Sequence, residues 1–334
     1  MQLPAPVLRP SFNVTRASHV VLTVKDLAAS RRFYEEVIGL VLTAEADGAL
    51  YYRGIEESCH HSLVLRQTRR EPVCERVGLR VLTEDDLEEL ARHFHPHDCP
   101  AEWVEVPHQG RTLHTTDPAG TRLEICAHMP VEPRQIASFS RHRGGCAQRI
   151  DHFQILTPHV PRALDFYAGM GFRLTEYIAL DGELRGTFLQ RKGNPHDIVF
   201  FHGAGPQLHH TAFFAQENHH LLKACDVAGE LGYGRSVERG PGRHGPGHAM
   251  FVYFRDPDGH RIELFNTHYQ VIDLENEPIG WDARDPKLAF PWGLPAQRRW
   301  FDEATPFAGA AIEQPDPKPT PMTLENYLAA QAKS

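Results

Sequence analysis

The sequence predicts an α+β protein of two tandem modules, each a pair of short β-α-β-β-β units whose strands form curved, mainly antiparallel sheets. Three observations carry this: a repeat that opens each half, a turn and strand that close each half, and strand-like runs between them. A length of 334 residues suits two domains, each able to bury its own core.

The segment from Ser18, SHVVLTVKDLAASRRFYEEVIGLVLTAE, matches the one from Asp151, DHFQILTPHVPRALDFYAGMGFRLTEY. Each reads strand, loop, helix, turn, strand, with a Phe-Tyr pair (Phe33-Tyr34, Phe166-Tyr167) fourteen positions beyond His19 and His152. Gly39 and Gly171 supply the residue that ends each helix. Strand-like runs follow, such as Ser62 to Leu65 and Ile198 to Phe201, and each half carries one more helix, near Asp85 to His93 and Asn218 to Leu231. Each half closes on Asp-Pro-x-Gly, Asp117 to Gly120 and Asp256 to Gly259, a tight turn that feeds a strand carrying Glu124 or Glu263.

These signals divide the chain into an N-terminal arm (1–17), a first module (18–130), a linker rich in Arg, Gly and Pro (131–149), a second module (150–268) and a tail (269–334). Trp281, Trp292 and Trp300 suggest that the tail packs on the body, whereas Gln314 to Pro321 reads as loose coil.

Composition is that of an ordinary globular protein, 41% hydrophobic and 23% charged. A net charge of −8 argues against a nucleic-acid partner, and no run is long and apolar enough for a membrane span. The six cysteines form no CxxC pair and read as reduced thiols, and the N-terminus resembles no secretory signal, so the expected compartment is the cytoplasm. The unusual count is 22 histidines, which makes metal chemistry worth testing.

Oxygen chemistry at a divalent transition metal needs two imidazoles and one carboxylate on one face, with other positions left open. The second module offers His152 in its first strand, His210 in the run His209 to Phe214, and Glu263 in the last strand. A lone strand histidine is more often a hydrogen-bonded core residue than a ligand. Glu263 is the stronger hint: between Ile262 and Leu264, a carboxylate either faces solvent or is paired with something positive. The first module keeps His19 and Glu124, but the place matching His210 falls near Val77 and Gly78, so this copy is expected to have lost metal binding.

With those residues in hand, and with Thr157-Pro158, Glu238 to Gly245 and Asp256 to Glu263 beside them, the chain resembles the type I extradiol dioxygenases of the vicinal oxygen chelate superfamily. Among these it is most similar to the homoprotocatechuate 2,3-cleaving enzymes, and the resemblance runs from about Ser18 to Thr305. It implies the glyoxalase-like fold and binding of Fe(II), or Mn(II) in some relatives, by His152, His210 and Glu263. A catechol would chelate the metal with O₂ beside it, both oxygen atoms entering the ring to give a yellow muconic semialdehyde-type product. By the same resemblance His196 is an acid-base histidine, Tyr253 and His244 contact the substrate or intermediate, and Arg239 is a cation near the site. A homotetramer is also implied.

Departures bear on the substrate. Where the homoprotocatechuate enzymes hold the substrate carboxylate with two adjacent arginines, this chain has Leu288 and Ala289, a loss on the order of 2 to 5 kcal/mol of recognition. Gln154 stands in place of Asn and Phe188 in place of Trp, which reshapes the pocket. The expected substrate is a catechol with an apolar or neutral substituent; Lys287 or Arg284 is the cation that could partly replace the clamp. Two alternatives stand beside this reading: another vicinal oxygen chelate chemistry, glyoxalase-like or thiol-transferring, and a non-catalytic binder of aromatic compounds. The first usually draws ligands from two facing modules, and the second predicts an incomplete triad.

Overall fold

The computed structural model describes residues 2–95 and 99–332, apart from the side chain of Ala289. The first module contains two units, each a strand, a helix and three further strands. The first is β1 (Val14–Val24), α1 (Leu27–Arg32), β2 (Val41–Ala46), β3 (Ala49–Arg53) and β4 (Leu63–Gln67). The second is β5 (Cys74–Val81), α2 (Glu84–Phe94), β6 (Glu102–Val106), β7 (Gly110–Thr116) and β8 (Arg122–Cys126). β1 opens at Val14, four residues ahead of the start of the repeat, because Val14 still pairs with Val81 across the sheet.

The second module repeats the plan. β9 (Arg149–Thr157), α3 (Val160–Gly169), β10 (Arg173–Leu180), β11 (Glu183–Gln190) and β12 (Ile198–His202) precede β13 (Gln207–Phe214), α4 (Asn218–Glu230), β14 (Val237–Arg243), β15 (Met250–Arg255) and β16 (Arg261–Asn266). The tail adds β17 (Ile279–Asp282), α5 (Pro286–Ala289), α6 (Arg298–Asp302), β18 (Thr305–Pro306) and α7 (Leu324–Gln331).

Local chemistry sets the helix ends. Asp26 accepts from the Ala28 and Ala29 N–H groups, and Thr83 forms a reciprocal capping box with Asp86. Beyond α1 the chain continues as a π-helical turn, Phe33–Ile38, that stops at Gly39 with φ +82°, a conformation that glycine adopts without Cβ strain.

The strand order is β2-β3-β4-β1-β5-β8-β7-β6 in the first sheet and β14-β15-β16-β13-β9-β12-β11-β10-β17 in the second, with β18 added on β13. The two units of a module join through one antiparallel pair, β1–β5 or β9–β13, flanked by parallel pairs. One apolar core runs through both modules: Phe33 meets Phe254, and Phe94 stacks on Phe166 at 5.6 Å.

The repeat motifs also tie the modules together. Tyr34 of the first module donates its hydroxyl hydrogen to Asp256 in the closing turn of the second (3.0 Å), and Tyr167 of the second donates to Asp117 in the closing turn of the first (2.9 Å). All four are buried, and the same aspartates cap their own turns through the N–H groups of Ala119 and Thr121 or of Asp258 and His260. Removing one buried donor leaves the partner oxygen unsatisfied. Tyr167→Phe should therefore cost about 1–3 kcal/mol, read as a lower midpoint in urea at unchanged slope. An unshifted midpoint would show that the tie contributes nothing.

The tail packs through some of its tryptophans. Trp281, on β17 beside β10, donates to the buried Glu176 (2.6 Å), and Trp300 of α6 is buried against Tyr253. Trp292, in contrast, is 52% exposed and anchors nothing by burial, because it sits in the turn between α5 and α6. Gln314 to Pro321 contains neither helix nor strand.

Candidate metal centre

Three adjacent strands, β9, β13 and β16, converge on one point. Ala212 pairs across the sheet with His152 on one side and Glu263 on the other, and His210 lies two residues along the same strand face. The small methyl of Ala212 lets its flanking side chains close over it. His152 Nε2 lies 3.2 Å from His210 Nε2 and 3.2 Å from Glu263 Oε2, and His210 Nε2 lies 3.1 Å from the same oxygen. All three residues are at most 2% exposed.

Cis ligands on one face of an octahedral ion, each at about 2.1 Å, stand about 3.0 Å apart, so this triangle fits a single divalent ion. Its donors are also the facial set of two imidazoles and one carboxylate that leaves the opposite face free.

The electrostatics agree with a site built for a cation. Against the penalty of burial, the imidazoles of His152 and His210 hold Glu263 well below the usual carboxylate range. Burial opposes charge on His152, but its contacts with Asp151 and Glu263 raise it to about 8, whereas burial drives His210 down to about 4. His152 Nδ1 sits 2.9 Å from Asp151 Oδ2, so the anion takes the Nδ1 hydrogen and leaves Nε2 for the centre. Asn194 also donates to Asp151, at 3.3 Å.

The other predicted residues surround the triangle. The His196 ring lies 4.3 Å from that of His152, 4% exposed, with Nδ1 unpartnered among the described residues. Burial and the neighbouring His152 push His196 well below its ordinary value, so it is neutral. His244 Nε2 reaches both the second oxygen of Glu263 and the Tyr253 hydroxyl at 3.0 Å, its ring stacked on Phe251. Gln154 pairs across the sheet with His210, and its Nε2 is buried without a partner among the described residues. Arg239, half-buried, lies over the rings of Trp300 (4.3 Å) and Phe251 (4.8 Å).

Phe188 forms an apolar wall with Ile178 and Val199, joined by Phe201, Trp281 and Leu288, and its ring lies 5.3 Å from His196. Of the two residues that replace the arginine clamp, Leu288 is thus part of this wall, and the side chain of Ala289 lies outside the described residues. Arg284 does not replace the clamp: it is 59% exposed and paired with Asp181 at 2.6 Å. Lys287 is exposed as well.

The first module differs in the same frame. Gly78 pairs with His19 and with Glu124, as Ala212 does with His152 and Glu263, so the residue in the place of His210 is Arg76, two positions earlier. This corrects the placement near Val77 and Gly78, which overlooked where β5 sits against β1. The count of two remaining candidates also changes. His61 stands where His196 does, just ahead of the strand paired with β1, and His114 faces Glu124 as Tyr253 faces Glu263. His19 binds one Glu124 oxygen at 2.8 Å and His114 the other at 2.7 Å, while a Cβ at Gly78 would meet the His19 ring at 2.2 Å. The imidazole lies flat where a methyl stands in the second module, and among the described residues this cluster does not bring three donor atoms within reach of one another, as His152, His210 and Glu263 do.

Sequence reasoning gave no role to Asp151 or His209 and gave Trp300 only tail packing; all three back the site from behind. The adjacent pairs Asp151-His152 and His209-His210 were the visible signal.

A protein-family model described as the Glyoxalase/Bleomycin resistance protein/Dioxygenase superfamily matches residues 16–125 and 149–264. Among curated proteins, a manganese-dependent 2,3-dihydroxybiphenyl 1,2-dioxygenase of Geobacillus genomosp. 3 is 27% identical, covering 85% of this chain and 95% of its own. A metapyrocatechase of Pseudomonas sp. (strain CF600) is 28% identical, over 81% and 92%. Among solved structures, the 3,4-dihydroxyphenylacetate complex of homoprotocatechuate 2,3-dioxygenase from Brevibacterium fuscum superposes with a TM-score of 0.87 at 34% identity, over 94% of this chain and 99% of that one. A variant of the same enzyme gives 0.89 at 33%, over 95% and 90%.

Proposed function

The chain belongs to the glyoxalase/bleomycin resistance protein/dioxygenase superfamily, and from that premise we propose that it is an extradiol dioxygenase which opens a catechol bearing an apolar or neutral substituent. The observation that carries this reading is the buried triangle of His152, His210 and Glu263 donor atoms within 3.2 Å of one another, confined to one module. A complete triad in one module argues against chemistries that draw ligands from two, and a neutral acid-base histidine beside it argues against a mere binder.

Fe(II), or Mn(II), held by these three residues would bring catecholate and O₂ together and let electron density pass between them. The remaining roles fall to the chain. His196, neutral and with a free Nδ1, takes and returns the proton at the reacting oxygens. Tyr253 and His244 hold a substrate oxygen through the hydrogen bonds they now share with each other and Glu263. Gln154 has a spare donor for the ring substituents' polar edge, and Arg239 supplies a fixed positive charge on its aromatic platform. Burial of His196, Tyr253 and Gln154 keeps bulk water from the reacting centre. The resemblance further supports a homotetramer, which light scattering at micromolar protein would test.

Substrate choice follows from the wall. Phe188, Val199 and Leu288 offer a ring substituent apolar contact and no cation, so a carboxylate there would lose its water without gaining a partner. In a panel of catechols, 3- or 4-methylcatechol should exceed 3,4-dihydroxyphenylacetate in kcat/KM by about tenfold or more. The opposite order would overturn the substrate assignment while leaving extradiol cleavage intact.

A further inference from the structure

We infer that His209 is a positioning residue that links the C-terminal tail to the metal centre by fixing which nitrogen of His210 carries the hydrogen. The inference rests on His210 being a ligand. His209 is 1% exposed, and its Nε2 lies 2.7 Å from the backbone carbonyl oxygen of Trp300 in α6. A carbonyl only accepts, so Nε2 of His209 carries the hydrogen. In a neutral ring Nδ1 is then a lone pair. That lone pair faces His210 Nδ1 at 2.7 Å, so His210 must donate from Nδ1 and present a lone pair at Nε2, the atom that points at Glu263 and His152.

Neighbouring residues of a regular strand point to opposite faces and could not make this contact. Here the β9–β13 register shifts between Leu208 and His210, an irregularity of the kind that re-aims side chains beside functional sites. The tail end of the relay is clamped independently. Arg261, fully buried and held by Glu238 at 2.6 Å, donates from one nitrogen to both the His209 carbonyl (3.1 Å) and the Glu303 carbonyl (2.9 Å). The His209 ring also lies edge-on to Trp300 at 4.6 Å. The two histidine ligands are thereby oriented by different means, His152 by the Asp151 carboxylate and His210 by a neutral imidazole anchored to the tail.

The two contacts of His209 can be separated. Asparagine places its oxygen where Nδ1 stands and keeps the acceptor for His210; glutamine places its amide nitrogen where Nε2 stands and keeps only the donor to Trp300. Mn(II) affinity of the full chain is read from the electron paramagnetic resonance signal of the free ion, with thermal unfolding to check the fold. Histidine-orienting partners typically contribute 10- to 100-fold to metal affinity, so His209→Gln and His209→Phe should weaken Mn(II) binding by about that factor and His209→Asn should stay close to wild type. If the phenylalanine variant does not fold, the contrast between Asn and Gln decides. Equal weakening in all variants, or none in any, would overturn the relay. A wild-type chain that binds no Mn(II) would remove the ligand assignment itself, and the relay with it.

Discussion

His210→Ala should purify with far less than one metal ion per chain and open catechol at least about 10³-fold more slowly than wild type. Charge stabilisation by a bound divalent ion is worth roughly 4 kcal/mol, and about 1.4 kcal/mol corresponds to a factor of ten in rate. Removing the imidazole breaks the triangle at two of its three edges, since Nε2 of His210 spans to both His152 and Glu263. Glu263 then remains buried with His152 and His244 as its partners. The informative control is His19→Gln, the counterpart change in the first module, which should leave metal stoichiometry at its wild-type level because among the described residues the first-module cluster does not place three donor atoms together. Metal analysis of both proteins, with oxygen uptake on catechol, checks the pair. Equal loss of metal in the two variants would contradict the assignment of the site to the second module.

His196→Phe should behave differently. Metal content should stay at the wild-type value while kcat falls by about 10²- to 10⁴-fold, the usual contribution of one proton-transferring group. His196 is within ring contact of His152 but outside the triangle, and its Nδ1 has no partner among the described residues. Burial disfavours its imidazolium, so over the neutral range it stands ready to accept a proton and then to return it. Phenylalanine fills the same space beside Phe188 and Phe265 and removes only the proton chemistry. A variant that kept wild-type kcat would assign the proton to another group, and one that lost its metal would make His196 a ligand.

Most of the fold was legible because its signals are local. The doubled strand-helix-turn motif, the Asp-Pro-x-Gly turns and the helix-ending glycines each depend on residues close in sequence, and both modules fold as those motifs dictate. Part of the candidate site was legible for a related reason: Glu263 between two apolar neighbours must face solvent or a positive partner, and it is 1% exposed among the imidazoles of His152, His210 and His244. What could not be read depends on pairing across distance. Arg76 rather than Val77 or Gly78 occupies the place of His210 because register is set between strands, and a shift of one residue moves every side chain to the other face. The cross-module ties of Tyr34 to Asp256 and Tyr167 to Asp117 span 222 and 50 residues. Trp292 and Trp300 are alike in sequence, yet one is 52% exposed and the other 6%, a difference made by α6 alone docking beside Tyr253. The Trp300 carbonyl behind His209 is a backbone group, which no side-chain pattern announces.

The central claim is that one divalent ion sits between His152, His210 and Glu263. Diffraction from crystals of the protein loaded with Fe(II) or Mn(II), collected at the absorption edge of that metal, locates the ion directly. The account predicts one anomalous peak per chain, about 2.1 Å from each of the three donor atoms. A peak at His19 and Glu124 instead, or none within coordinating distance of Glu263, would contradict it.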